Sequence, residues 1–363
     1  MDQRDLESNT RVAADEAIRV ARAGHFQRAE IMARQALANT HPGDLAGRLN
    51  ALTALAIVQG AGGRFIESIA SCVDAFDWAQ RLGDHHGALH AAVTMVGSGT
   101  FILDAGPAVD TMLGLCRQQA GALGDVALQV RVENNFTIYC EDRGRFEEGL
   151  AANQRALDLS ELGVARAELY TPRSMLQCNR ASILGLYARS FPAGEGQEIA
   201  QKARSRFESL IADPQLATHR DAQARLWFGL GGLQFHLGEL NAALQSFEAS
   251  REQSRQTQHR SRELNAGLQL ARIQRQRGDH EAAVALLDHA VQLGESIRPT
   301  MHLAPACAEM ADALERLGRA KEAAWYRERL ERERDFWQRE NAHAARDIGS
   351  FAVRLTAFGR AVA

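Results

Sequence analysis

Aromatic residues make up only 6% of this 363-residue chain, and proline occurs just 7 times. That scarcity argues against a fold of short strands and tight turns. The Ala, Leu, Arg, Gln and Glu that stand in their place are the palette of helices. Neither sign of charge predominates, with 42 Lys and Arg against 45 Asp and Glu and a net charge of -3. Without a basic field nothing gathers a phosphate backbone, so direct nucleic-acid binding is not expected. No apolar run approaches the roughly 18 residues of a membrane span. The opening MDQRDLESNT is charged and lacks the apolar centre of a secretory signal. A soluble, cytoplasmic protein without membrane contact is therefore expected. Cysteine is sparse as well: Cys72, Cys116, Cys140, Cys178 and Cys307 stand singly, in no CxxC arrangement. They read as buried small hydrophobes in a reducing compartment.

Catalytic motifs are also missing. There is no GxxxxGK[ST] phosphate loop, no HExxH, no GxSxG elbow and no GxGxxG after a strand. The one metal-like cluster, DHHGALH, sets His86 and His90 at i and i+4 beside Asp84 and His85. With no carboxylate or Cys fixed as third ligand, a solvated helix start accounts for the pair. No nucleophile, base and orienting group can be assembled. Neither catalysis nor a cofactor nor a metal is expected.

A recurring phrase is present instead: a Gly, four residues, then a small residue, flanked by apolar positions. It occurs as GHFQRA from Gly24, GRFIES from Gly63, GRFEEG from Gly144, GELNAA from Gly238, GDHEAA from Gly278 and GRAKEA from Gly318. Gly238, Gly278 and Gly318 stand 40 apart, Gly24 and Gly63 39 apart, and Gly63 and Gly144 81 apart, which is two units. Degenerate copies around Gly106 and Gly196 fill the gaps and make eight units. In each, the Gly can adopt the left-handed conformation that ends one helix and reverses the chain. The small residue then lies where two helix backbones approach.

One copy carries Trp227, Leu230, Gly231, Gly238, Ala243 and Phe247, and this resembles the tetratricopeptide pattern W-x2-L-G through A-x3-F. The resemblance covers about residues 10 to 330. It implies an all-α, right-handed α-α superhelical solenoid of about eight helical hairpins over residues 1–320. The period near 40 exceeds the 34 usual for the family. Such long repeats resemble the helical domains of bacterial peptide-pheromone receptors, of signal-transducing ATPase regulators and of sensors linked to diguanylate cyclases. The implied role is non-catalytic: a peptide, a small ligand or a partner segment received in the concave groove of a signalling regulator. The alternative is a constitutive protein-protein scaffold.

In such a solenoid the first helix of each hairpin faces the groove. That places Arg131, Asn134, Asn135 and Ile138 there in the central unit, and Asn179 and Arg180 in the next. Later units add Arg225, Phe228, Asn265, Arg272 and Arg275. Asn offers a donor and an acceptor together, and Arg takes carboxylates, so both suit an extended peptide. The same residue types equally serve a solvated helix face.

Two stretches break the pattern. RSFPAGEGQ, residues 189–197, carries Pro192, Gly194 and Gly196 and lengthens an inter-helix loop, either as a lid or as an inert insertion. VGSGTFILDAGP places Gly97 and Gly99 inside an expected helix, with Gly99 at the small packing position.

Residues 321–363 form a separate amphipathic helix. Leu330, Arg334, Trp337, Asn341, Ala344, Ile348, Phe351, Leu355 and Phe358 alternate in steps of four and three, an a/d seam interrupted by Arg334 and Asn341. The seam suits either a cap folded back over the last repeat or a dimerising helix that makes a homodimer. In cyclase-linked sensors a similar helix leads into the output domain. The chain stops at Ala363, so by that kinship the output domain is expected to be absent or to belong to another chain.

Overall fold

The computed structural model describes residues 3–102, 104–162, 173–192 and 195–360, and among them every regular element is helical. α1 (Gln3–Arg22) and α2 (Phe26–Ala38) form a hairpin, followed by α3 (Leu45–Ala61) with α4 (Phe65–Leu82). Next come α5 (His85–Gly99) with α6 (Gly106–Leu123), and α7 (Val126–Asp142) with α8 (Phe146–Leu159). α9 (Arg173–Arg189) pairs with α10 (Gln197–Ile211), and α11 (Arg220–His236) with α12 (Leu240–Gln256). α13 (Arg260–Gln276) with α14 (His280–Ser296) and α15 (Leu303–Arg316) with α16 (Ala320–Arg360) complete eight hairpins.

The glycine turns work as the spacing predicts. Gly24, Gly63, Gly144, Gly238, Gly278 and Gly318 all have φ between 69° and 87°, a region that L side chains avoid. Five residues on, Ala29, Ser68, Ala243 and Ala283 are wholly buried. The third hairpin solves the turn differently. Gly106 is the first residue of α6, and Asp104, with φ 63°, takes the left-handed position. Val109, five residues further, is larger than its counterparts, and Gly99 makes the room: a Cβ there would lie 3.2 Å from Val109 Cγ2. At the 189–197 stretch Gly196 is left-handed and opens α10, whereas Gly194 lies outside the described residues.

The chain divides into two compact units, Met1–Ile183 with Asn341–Ala363, and Leu184–Glu340. In the first, α1, α3, α5 and α7 pack in series. α5 is apolar around most of its circumference and is buried accordingly, with Leu89, Val93, Met95 and Val96 at its centre. In the second unit one core gathers Ala243, Phe247, Leu270 and Ile273, and another gathers Leu287, Leu303, Met310 and Leu314. All five cysteines are buried free thiols. No helix among the described residues is long and apolar enough to cross a membrane.

The long C-terminal helix is present: α16 runs unbroken from Ala320 to Arg360, through Gly349, as the second helix of the eighth hairpin. Its early apolar positions, Tyr326 and Leu330, pack on the Leu287 core of the second unit. Arg334 is paired with Glu331 at 2.8 Å in solvent, and Trp337 is partly buried. From Asn341 the helix belongs to the first unit. There Ile348, Phe351 and Leu355 are at most 1% exposed, and Phe351 lies 4.5 Å from the Phe76 ring. Phe358 meets Phe76 edge-on at 5.8 Å. Arg354 binds Asp77, and its Nη2 donates to Gln80 Oε1 at 2.7 Å. The stripe is thus covered by α4, α5 and α6 and not by the last repeat alone. The reason is steric: bare backbone at Gly99 admits the Ile348 side chain, whose Cδ1 would sit 3.2 Å from any added Cβ.

Candidate ligand-binding face

Because successive first helices lie side by side, residues one repeat apart in sequence become neighbours. In the first unit the row runs across α5, α7 and α9. Arg131 of α7 donates from Nη1 to His90 Nδ1 at 3.1 Å and from Nη2 to Thr94 Oγ1 at 2.8 Å. Asn135, one turn on, donates from Nδ2 to the Val93 carbonyl at 2.7 Å. Gly97 permits this, since a Cβ there would lie 3.3 Å from Asn135 Oδ1. Asn134 is buried and accepts at Oδ1 from Asn179 Nδ2 of α9 at 2.6 Å. Arg180 and Ile138 are partly buried. The sequence-predicted residues of this unit are therefore brought together, but Asn134 and Asn179 satisfy each other beneath the surface.

The His86 and His90 rings lie 4.7 Å apart between centroids, tilted by 58°, and the carboxylate that the sequence left unidentified is Asp125, whose Oδ2 lies 2.6 Å from His86 Nε2. The possible ligand atoms of His86, His90 and Asp125 fall within 4.8 Å of one another, yet the donor set fits a cation poorly. The Arg131 guanidinium can only donate, so His90 Nδ1 accepts and its proton sits on Nε2. Asp125 Oδ1 is also engaged, capping α7 through the Leu128 N–H at 3.0 Å. A fixed guanidinium beside the site opposes a second cation.

The electrostatics follow from burial. Burial works to raise the Asp125 carboxyl, but the Leu128 N–H and the His86 ring outweigh it and hold the group below its ordinary value. Burial lifts the Cys72 and Cys116 thiols to about 12, so both are neutral. Arg131 is pulled down to about 10, chiefly by burial and next by the charge of Arg22.

The second unit has its own first-helix row. Arg262 of α13 ion-pairs Asp221 of α11. Burial acts to raise the Asp221 carboxyl, and the charges of Arg262, His259 and Arg225 overcome it to leave it lowered. Phe228 packs edge-on against Phe247 at 5.3 Å, within the hairpin core. Asn265 accepts from Gln269 at 3.4 Å. Arg272 and Arg275 both hold Glu309 of α15, at 2.8 and 2.9 Å.

Thr94, Asp125, Asp221 and Glu309 escaped sequence reasoning, although a signal existed. Asp125 lies 39 residues from His86, Thr94 37 from Arg131, Arg262 41 from Asp221, and Glu309 37 from Arg272. Each is a complementary polar residue close to one period away.

Neither a family profile nor a curated protein matches the sequence. Solved structures do. A Rap protein complexed with Competence and Sporulation Factor aligns at TM-score 0.55 and 12% identity over 97% of this chain and 99% of its own. The apo quorum sensor NprR from B. thuringiensis aligns at TM-score 0.56 and 12% identity, covering 92% and 88%. A kinesin light chain from Podosopora anserina with nearly identical TPR-like repeats aligns at TM-score 0.42 and 17% identity, covering 58% and 97%. By its likeness to the Rap protein and to NprR, the chain has the tetratricopeptide-type fold, a solenoid of helical hairpins.

Proposed function

We propose that this chain is a non-catalytic binding protein that receives a peptide, a small ligand or a partner segment across its first helices and regulates a partner in cytoplasmic signalling. The observation that carries the reading is the polar row on α5 and α7, where Arg131 and Asn135 are partly exposed and already aligned by bonds to the neighbouring repeat. An extended chain lying across such a row meets donors and acceptors at successive helices. Fold likeness to NprR and to the Rap protein, over nearly the whole of each chain, is consistent with this use. A ligand that touches several first helices at once cross-links repeats that otherwise contact only their neighbours, so occupancy stiffens the solenoid.

The test is a thermal melt of the full chain with a peptide fraction from the native host. A ligand at 100 times its Kd adds about 2.7 kcal/mol, which raises Tm by a few degrees in a protein of this size. The rise should vanish in an Arg131→Ala, Asn135→Ala double variant. An unchanged melting curve, together with a stable partner captured regardless of added peptide, would instead mark a constitutive scaffold.

A further inference from the structure

The third hairpin is built unlike most of the others. Six of the eight hairpins turn in three residues, whereas α5 and α6 are joined by six, 100–105. The last stretch of α16 packs against both helices. Ile348 Cδ1 and Val109 Cγ2 each lie 3.2 Å from the point where a Gly99 Cβ would stand. Further along, the Phe358 ring lies 4.5 Å from the His85 ring, and Gln119 of α6 lies against Gly359. Ile348 to Gly359 therefore runs antiparallel to α5 and parallel to α6, with Phe76 of α4 as a third wall. Ile348, Phe351 and Leu355 share one buried core with Val96 of α5 and Met112 of α6. The opposite face, with His343, Arg346, Ser350 and Val353, is exposed. Gly349 stands in the middle of this seated helix with nothing within 4 Å of an added Cβ. No close approach requires a glycine there, and its presence weakens the helix between Ile348 and Phe351.

We propose that the cleft of α4, α5 and α6 is a binding site for an amphipathic helix of a partner protein, and that residues 341–360 fill it as a replaceable lid. The site lies inside one hairpin and does not depend on the first-helix row. A helix laid in an apolar cleft is recognised by bulky side chains one turn apart, and the resident helix states the pattern. Ile348, Phe351 and Leu355 enter the core, while Arg354 answers Asp77 and Gln80 of α4 at the rim. A partner helix with bulky apolar residues in that order and an Arg before the last makes the same contacts, so exchange trades like burial for like burial. An emptied cleft would expose its core to water, which is why the lid leaves only when another helix takes its place. A second copy has no such advantage, since its own segment already fills an identical cleft. The early part of α16 stays anchored by Tyr326 and Leu330 on the Leu287 core when the lid leaves.

The test uses the full chain and a fluorescent synthetic peptide of residues 341–360, read by anisotropy. The parent, its cleft filled, should take up the peptide weakly. Phe351→Ala loosens the resident helix and leaves the walls intact, so the apparent Kd should fall by about a hundredfold. The peptide should also bring the Tm of that variant back toward the parent's. Gly349→Ala strengthens the resident helix and should weaken uptake by about fivefold relative to the parent. A peptide that itself carries Phe351→Ala should not compete. Equal binding by the parent and both variants overturns the proposal. So does the absence of binding to a Phe351→Ala chain that still melts cooperatively, because the segment is then permanent core. Should Phe351→Ala not fold, Arg354→Ala at the rim reads the same way: tighter uptake than the parent is expected, and unchanged uptake overturns the lid. Light scattering separates the other occupant. A single-chain mass for Phe351→Ala is expected, whereas a doubled mass that is lost on adding the peptide gives the cleft to a second copy and overturns the partner reading.

Discussion

Glu133 of α7 is held at both oxygens by arginines from the helices on either side. Arg117 of α6 reaches Oε1 at 2.6 Å and Oε2 at 3.0 Å, and Arg155 of α8 reaches Oε2 at 3.0 Å. The carboxylate is 7% exposed while its partners are 42% and 49% exposed, so removing its charge strands no buried cation. Glu133→Gln should therefore cost only about 1–2 kcal/mol, read as a lower urea midpoint at unchanged slope. His259 makes a sharper case. It caps α13, accepting from the Arg262 N–H at 3.3 Å, and burial, with the charge of Arg262, pulls it from the ordinary imidazole value down to about 3. The unfolded chain thus binds a proton that the folded chain refuses. Stability is complete above pH 6.5 and falls as pH drops toward 3, by up to about 1.4 kcal/mol per pH unit. His302, pulled down to about 4 by burial, acts in the same direction. His259→Asn keeps a capping acceptor without the titration. The gap between urea midpoints at pH 7.5 and 4.5 should narrow in the variant, and an unchanged gap would remove His259 from the account.

Two glycines in successive hairpins predict opposite outcomes. Gly149 of α8 sits at the small packing position, where a Cβ would collide with Ile183 Cδ1 and lie 3.0 Å from Cys140 Cβ. Gly149→Ala should destabilise by about 1–3 kcal/mol through overpacking. Gly114, inside α6, has nothing within 4 Å of an added Cβ. Gly114→Ala should stabilise by up to about 1 kcal/mol, since a helical glycine loses more backbone freedom on folding than alanine. Thermal melts of the pair decide it, and the same sign for both would mean the helix contacts are misassigned. The end of α16 makes a regional prediction. Phe351 is 1% exposed among Phe76 and its neighbours, so Phe351→Ala should cost about 3–5 kcal/mol. Hydrogen exchange should place that loss in α4, α5 and α6 while α11 to α15 keep their protection. Loss spread evenly over both groups of helices would refute a local role for this segment.

At the scale of the whole molecule, the number and boundaries of the hairpins were legible because they rest on local chemistry. A left-handed glycine and a small residue five positions later act within one hairpin, and repetition every 40 residues multiplies a weak signal. Even the exception at Gly106 follows local logic, since Asp104 can tolerate the same backbone region. Legibility stopped at contacts between hairpins. The spacing placed Arg131, Asn134 and Asn135 on one face, but only the packed first helices show Asn134 engaged by Asn179 and Arg131 bonded to His90 and Thr94. Likewise the seam through Ile348, Phe351 and Leu355 was visible as an apolar stripe. A stripe records only that it must be covered, because hydrophobic burial is nondirectional and names no partner. By itself, then, the sequence determined a solenoid of eight hairpins and a long amphipathic final helix. The tertiary structure decided which helices cover that final stripe and which polar groups of the first-helix face are already satisfied, because both depend on neighbours tens or hundreds of residues away.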